Sequence, residues 1–164
     1  MLRVLVIILS LAVLVAGCNG GTSQGSLIGK PAPDFKFQVA EEQSISLSNL
    51  QGGPVLLNFW TTYCPGCLVE MPYLQQVYDD WQGRGLVLLA INIAEDPSVV
   101  GNFMQSRGLS FPVLLDREGA IAYQYGVGNI PASFFIDSEG IIQHVQVGAF
   151  QSAAEIENIL SRLD

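Results

Sequence analysis

The sequence predicts an α/β sandwich in which a mixed β-sheet is flanked by helices and preceded by a β-hairpin. Residues 55–60 and 86–93 are nearly continuous apolar runs of strand length, as expected for strands that are buried on both faces. Residues 132–136 and 141–147 are separated by a short polar segment and predict a closing hairpin. Helical patterns alternate with the earlier strands, so the predicted order is β-β-β-α-β-α-(β)-α-β-β-α.

Spacing and capping signals place the remaining elements. Residues 35–46 alternate weakly between polar and apolar and predict the N-terminal hairpin. One helical face is predicted from Cys67, Met71, Leu74, Tyr78 and Trp81. Asp96 and Pro97 resemble a helix start, and Gly108 follows the expected end of that helix. A short helix is expected near residues 118–125, and the last helix turns five apolar residues inward: Ala153, Ile156, Ile159, Leu160 and Leu163.

The N-terminus has the pattern of an export signal. Arg3 precedes thirteen uncharged residues, Val4 to Ala16, which are too few to span a bilayer comfortably and indicate the hydrophobic region of a signal peptide. Residues 15–18, which end at Cys18, resemble the lipobox of bacterial lipoproteins. We therefore expect a signal peptide over residues 1–17, a lipid-bearing Cys18 with a flexible linker over residues 18–27, and a folded domain near residues 28–164. An ordinary cleavage site that happens to contain a cysteine is the alternative.

Charge and residue counts exclude several functions. Seven Lys and Arg against fifteen Asp and Glu give a formal net charge of −8, which argues against nucleic-acid binding. Three cysteines and one histidine do not supply the two ligand pairs of a usual zinc site, so no metal is expected. His144 is interpreted as a side chain of the sheet.

The chemistry is expected at Cys64-Pro65-Gly66-Cys67, which follows a buried strand and begins a helix. Unpaired N–H groups and the helix dipole favour a thiolate at Cys64, lower its pKa and make it nucleophilic. Cys67 lies about one turn further along the same face and can attack a mixed disulfide on Cys64. A permanent structural disulfide is the alternative, although so short a loop contributes little entropic stabilisation.

Three segments carry a family resemblance. Residues 59–72, which contain the cysteine pair, resemble the active-site stretch of thioredoxin-like proteins, specifically the membrane-anchored extracytoplasmic thiol–disulfide oxidoreductases of the TlpA/ResA type. Residues 32–35 resemble the first segment of that group and of the related peroxiredoxins. Residues 128–137 resemble the segment that bears the thioredoxin-fold cis-proline. The resemblance implies a thioredoxin-like three-layer sandwich over residues 28–164. Two departures are Tyr63, where Trp is usual, and the Pro65-Gly66 pair.

The resemblance also implies roles for individual residues. Pro131 would be the cis-proline that faces the two cysteines, and Ile130 would offer its backbone to an extended substrate peptide. Glu95 would be an acid/base that serves Cys67, with a solvated surface residue as the alternative. We interpret Glu70 as a surface charge on the helix.

A second group of residues is expected to shape the surface around the sulfur atoms. Trp60 and Tyr63 would form an apolar wall that contacts substrate, next to Pro65 and Gly66, although core packing alone could explain Trp60.

Three functions follow from these observations. The first is reduction of disulfides in exported proteins, with apocytochrome c as the best-known client of the family, a membrane thiol donor as electron source and no cofactor beyond the cysteine pair. The second is a thiol peroxidase, because Thr61-x-x-Cys64 imitates the peroxiredoxin motif, although Leu57 stands where that motif has proline. The third is a lipid-tethered binding module with a structural disulfide.

Overall fold

A computed structural model describes residues 24–40 and 43–163. The strands and helices follow each other as β1 Lys36–Ala40, β2 Gln43–Ser46, β3 Val55–Trp60, α1 Pro65–Trp81, β4 Val87–Ile93, α2 Pro97–Arg107, β5 Val113–Asp116, α3 Ala120–Gln124, β6 Ala132–Ile136, β7 Ile142–Val147 and α4 Ala153–Leu160. This order confirms the predicted one, and the strand that stands in parentheses there is β5.

The central sheet has five strands in the order β5-β4-β3-β6-β7. Strands β3, β4 and β5 are parallel, whereas β6 and β7 run antiparallel to their neighbours. The mixed sheet and the closing hairpin are therefore as predicted. Trp60, the last residue of β3, pairs with Asn92 of β4, so the segments that follow these two strands leave the sheet at the same edge.

Side-chain alternation along β3 divides the interior into two apolar layers. Leu56 and Trp60 belong to the layer that contains α1 and α4, whereas Leu57 and Phe59 belong to the layer beneath α3 and the N-terminal segment. Asn58 points toward α1 and is fully buried. One polar side chain thus interrupts the otherwise apolar layer that carries the cysteine pair.

Two helix ends follow their local sequence. Asp96 caps α2 by accepting a hydrogen bond from the Ser98 backbone N–H at 2.8 Å, as the Asp-Pro pair predicted. Gly108 ends the helix with φ of 64°, a left-handed conformation that glycine adopts without steric cost.

The inward faces of two helices differ from expectation in detail. Val77 of α1 is buried, and the predicted Tyr78 is only half-buried. In α4, Ile159 is half-buried, while the other four predicted residues of that stretch are buried.

The residues just before the predicted domain start at residue 28 include one that packs against the fold. Residues Gln24–Leu27 form a 3-10 turn, and Leu27 is buried in the layer beneath α3. The predicted signal peptide and Cys18 lie outside the described residues. Within the part of the chain that the structure describes, no helix has the length and apolarity needed to cross a bilayer.

Candidate active site

The two cysteines form a disulfide at the N-terminus of α1. Their Cα atoms are 5.2 Å apart. Cys64 is the N-cap residue, and the backbone N–H of Cys67 donates to its sulfur at 3.1 Å. Pro65 occupies the first helical turn, where its missing N–H has no cost. The start of a helix thus directs a donor and the positive end of its dipole at Cys64, which favours a thiolate there once the disulfide is reduced.

The two sulfur-bearing residues differ in accessibility. Cys64 is 7% exposed, whereas Cys67 is fully buried. Of the two cysteines, therefore, only Cys64 keeps any surface that an external disulfide could approach in this conformation. The asymmetry favours Cys64 as the attacking cysteine and Cys67 as the cysteine that displaces the bound partner.

Pro131 faces the dipeptide between the cysteines. The Ile130–Pro131 peptide bond is cis, which confirms the predicted geometry. A Cβ placed on Gly66 would lie 3.1 Å from Cδ of Pro131 and 3.8 Å from Cβ of Ala149. Gly66 therefore allows the start of α1 to approach the proline loop closely.

The two aromatic residues before Cys64 occupy different environments. Tyr63 is 73% exposed and is available to a partner beside Cys64. Trp60 is fully buried, shares an apolar cluster with both cysteines and packs its ring 5.3 Å from that of Phe103. Its burial removes it from any surface that a substrate could contact, so the assignment of Trp60 to substrate binding is corrected to core packing.

Glu70 is buried rather than on the surface, and our interpretation of it as a surface charge was wrong. Its Oε1 accepts a hydrogen bond from Nδ2 of Asn58 at 2.8 Å, and its Oε2 accepts one from the backbone N–H of Phe150 at 3.1 Å. The Asn58 amide also donates to the hydroxyl of Ser133 at 2.9 Å. The carboxyl group thus lies between α1 and the sheet, one helical turn beyond Cys67.

Burial raises the pKa of Glu70 to about 7, because desolvation of the carboxylate outweighs the hydrogen bonds from Asn58 and Phe150.

Asn58, Ser133 and Glu70 were missed by the sequence analysis as site residues. Two signals were available. Glu70 lies three residues after Cys67 and four before Leu74, on the inward stripe, and Asn58 interrupts an apolar strand.

This pKa predicts a distinctive pH dependence of stability. Because the pKa of Glu70 in the folded protein lies above the ordinary value of 4.5 for a Glu carboxyl group, the folded state binds more protons than the unfolded state between pH 4.5 and 7. Its stability therefore falls as pH rises through that window. Relative to a Glu70→Gln variant, the oxidised wild type should lose up to about 3 kcal/mol of unfolding free energy between pH 4.5 and 7.5.

Urea denaturation of both proteins at several pH values measures this difference. Glu118→Gln is the matched control, since it removes an exposed carboxyl group, and its offset from wild type should stay nearly constant with pH. An offset between wild type and Glu70→Gln that is equally constant would contradict a raised pKa.

Glu95 lies at the same edge of the sheet but contacts the chain before the cysteines. Its Oε2 accepts hydrogen bonds from the Thr62 backbone N–H at 2.7 Å and from Nδ2 of Asn92 at 2.6 Å, and its Oε1 accepts one from the Thr62 hydroxyl. None of the hydrogen bonds described for Glu95 joins it to a sulfur atom.

The histidine and the potential metal ligands of the described residues complete the description of the site. His144 is a half-buried side chain of β7 whose ring packs against Phe135, as expected. Over residues 24–40 and 43–163, no group of three or more His, Cys, Asp and Glu side chains is arranged to hold a metal ion.

Comparison with known proteins identifies the family. Residues 28–145 match the AhpC/TSA family. A thiol-disulfide oxidoreductase ResA from Bacillus anthracis is 38% identical over 136 residues, covering 83% of this chain and 78% of that protein.

Two solved structures have the same architecture. A thiol:disulfide interchange protein of the thioredoxin family from Chlorobium tepidum is 32% identical, with a TM-score of 0.71 over 81% of this chain and 94% of that one. StoA from Bacillus subtilis is 29% identical, with a TM-score of 0.67 over 77% of this chain and 96% of that one. The chain therefore belongs to the AhpC/TSA family, and it is a thiol–disulfide oxidoreductase of the ResA type with a thioredoxin-like fold.

Proposed function

We propose that this oxidoreductase reduces disulfides in exported proteins, and that it does so from the outer face of a membrane. The observation that carries the proposal is the cysteine pair at the start of α1, where Cys64 keeps 7% of its surface exposed and Cys67 is fully buried. A structural disulfide would not require one cysteine of the pair to keep some exposure and also to accept a hydrogen bond from a helix N-terminus.

The first half of the reaction uses the reduced pair. The Cys64 thiolate attacks one sulfur of the substrate disulfide, so that a mixed disulfide forms and the second substrate sulfur leaves as a thiolate that takes a proton from solvent. The backbone N–H of Cys67, which donates to Sγ of Cys64 in the oxidised form, is positioned to stabilise the attacking thiolate.

The second half releases the substrate. The Cys67 thiol loses its proton and attacks Sγ of Cys64, which forms the Cys64–Cys67 disulfide and frees the remaining substrate sulfur as a thiolate. Glu70 lies one helical turn beyond Cys67 and, with a pKa of about 7, can take up that proton near neutral pH. Two electrons pass to the substrate, and a thiol donor must supply them again.

The buried carboxyl group also supports the direction of electron flow. When ionised, Glu70 disfavours a second negative charge at Cys67 across one helical turn. Destabilising the dithiolate favours the disulfide form of the protein, which makes the reduced pair a stronger reductant.

Substrate binding is proposed on the surface around Cys64. Tyr63 and Pro65, the two sequence neighbours of Cys64, are exposed. The backbone of Ile130, which precedes the cis-proline, would pair with an extended segment of the client by strand addition.

The cellular setting rests on the sequence and the family resemblance. A lipid on Cys18 would hold the domain at the outer face of the bacterial cell membrane, since two or more acyl chains give stable anchoring. The clients would be extracytoplasmic thiol/disulfide proteins, including apocytochrome c, and a membrane thiol protein would restore the dithiol.

A redox titration tests the proposal. Trp60 lies in the same apolar cluster as both cysteines, so its fluorescence should follow the dithiol–disulfide equilibrium in defined thiol buffers. We expect a midpoint nearer that of thioredoxin, about −270 mV, than that of the oxidant DsbA, about −120 mV. A midpoint close to the DsbA value would reverse the proposed direction. A midpoint below roughly −300 mV, together with no reduction of insulin, would indicate a structural disulfide.

The peroxidase alternative is separated by comparing two activities of the same preparation. The motif residue Thr61 is buried, and the disulfide joins cysteines only three residues apart. With reductant in excess, we expect disulfide reduction to be much faster than peroxide consumption. The reverse ranking would assign the protein to the peroxidases.

A further inference from the structure

Glu95, which follows the neighbouring strand β4, binds the loop that carries Cys64. This loop, Thr61 to Cys64, is the whole connection between the end of β3 at Trp60 and the start of α1 at Pro65. At its centre, Thr62 donates both its backbone N–H and its hydroxyl to the Glu95 carboxylate, at 2.7 and 2.5 Å. The two residues are 33 positions apart in the sequence.

The sheet register explains why these residues meet. Trp60 and Asn92 are paired neighbours on parallel strands, so Thr62 and Glu95 follow the same sheet edge two and three residues later. Asn92 adds a third donor to the carboxylate at 2.6 Å. The hydrogen bonds therefore tie the Cys64 loop to the end of β4, in addition to its covalent connection to β3.

The backbone before Glu95 adopts a conformation that supports this contact. Ala94 has φ of 57°, in the left-handed region that is unfavourable for residues with a Cβ. Its N–H donates to the carbonyl of Asp116 on β5, which keeps the turn attached to the sheet. Backbone strain of this kind persists where surrounding contacts over-determine it and often marks functional sites.

We propose that Glu95 is a positioning residue whose carboxylate fixes Thr62 and thereby orients Cys64 and Tyr63 for attack on a disulfide. Three donors occupy its two oxygens, so the carboxylate is committed to the loop rather than to proton transfer at Cys67. The inference rests on the proposed function and deepens it, because it identifies Glu95 as the residue that positions the attacking Cys64.

Four variants and a control test the positioning role. Glu95→Gln replaces one acceptor oxygen by an NH2 group, which cannot accept hydrogen bonds from Thr62 or Asn92. Thr62→Val removes the hydroxyl at nearly constant shape. The double variant tests whether the two single variants slow the reaction by removing the same contact. Thr62→Ser keeps a hydroxyl at this position. Asp96→Asn is the matched control, because it removes the adjacent charge while it keeps an N-capping side chain.

The rate measured is that of the reduced protein with a small aromatic disulfide, followed from pH 5 to 9. Glu95→Gln and Thr62→Val should each slow the reaction about tenfold, since displacement of a reacting group by a fraction of an ångström is costly. The double variant should be no slower than the slower single variant. Thr62→Ser and Asp96→Asn should stay within about twofold of wild type, and all the pH profiles should keep their shape.

Two outcomes would overturn the proposal. If Glu95→Gln removes an ionisation from the pH profile while Thr62→Val reacts at the wild-type rate, Glu95 is an acid/base. If the variants unfold at lower urea concentration but react like wild type, the contact is only structural. The small disulfide probes Cys64 alone, so failure of the reductase proposal would appear separately, as a wild-type protein that reacts with the reagent but does not reduce insulin.

Discussion

Replacing Cys64 with Ser is expected to reduce the disulfide-reducing activity to the uncatalysed rate. Cys64 is the only member of the pair with any exposure, because Cys67 is fully buried. The remaining thiol therefore cannot reach a substrate disulfide in this conformation. A serine hydroxyl does not ionise at neutral pH and does not replace the thiolate as nucleophile.

Insulin reduction by the full chain, with a thiol electron donor in excess, measures this loss. Cys18→Ser is the control for the loss of one cysteine, since Cys18 belongs to the proposed lipid anchor and not to the Cys64–Cys67 pair. That control should reduce insulin at the wild-type rate. Full activity in the Cys64→Ser variant would remove the basis of the mechanism.

A second large effect is expected from Cys67→Ser, which should capture its substrate instead of releasing it. Cys64 would still attack, but no thiol would remain three residues away to displace the bound partner. The variant should release close to one equivalent of thiol from a disulfide substrate and then stop. Multiple turnovers would show that another group resolves the mixed disulfide.

Mass spectrometry of the Cys67→Ser protein should detect a one-to-one covalent adduct that a reducing agent removes. Both proteins carry Cys18→Ser in this experiment, and the same treatment of Cys64→Ser should give no adduct, because its one remaining cysteine, Cys67, is buried. An adduct on both variants would contradict the assignment of attack to Cys64 and resolution to Cys67.

The sequence predicted the fold almost completely because most of its signals are local. Apolar runs, the Asp96 cap, the Gly108 terminator and the polar segment between β6 and β7 each specify one element from a few neighbouring residues. The position of the cysteine pair at a helix start was predictable for the same reason, since it needs only a strand followed by a helix.

The parts of the site that the sequence did not predict depend on contacts between distant elements. Glu70 has the polarity of a surface residue, and only the packing of α1 on the sheet places it against Asn58 and Phe150. The contact of Glu95 with Thr62 likewise follows from the pairing of β3 with β4. Spacing within one helix could have placed Glu70 inward, but no local signal joins Thr62 to Glu95.

The close approach of Gly66 to Pro131 limits how this active site can be re-engineered. The family resemblance implies that the dipeptide between the cysteines helps to set the midpoint potential. Here any larger residue at the second position would push against the proline ring, so the exchange also moves the segment that would receive the client. We therefore expect a change at Gly66 to affect both the midpoint potential and the segment proposed to receive the client.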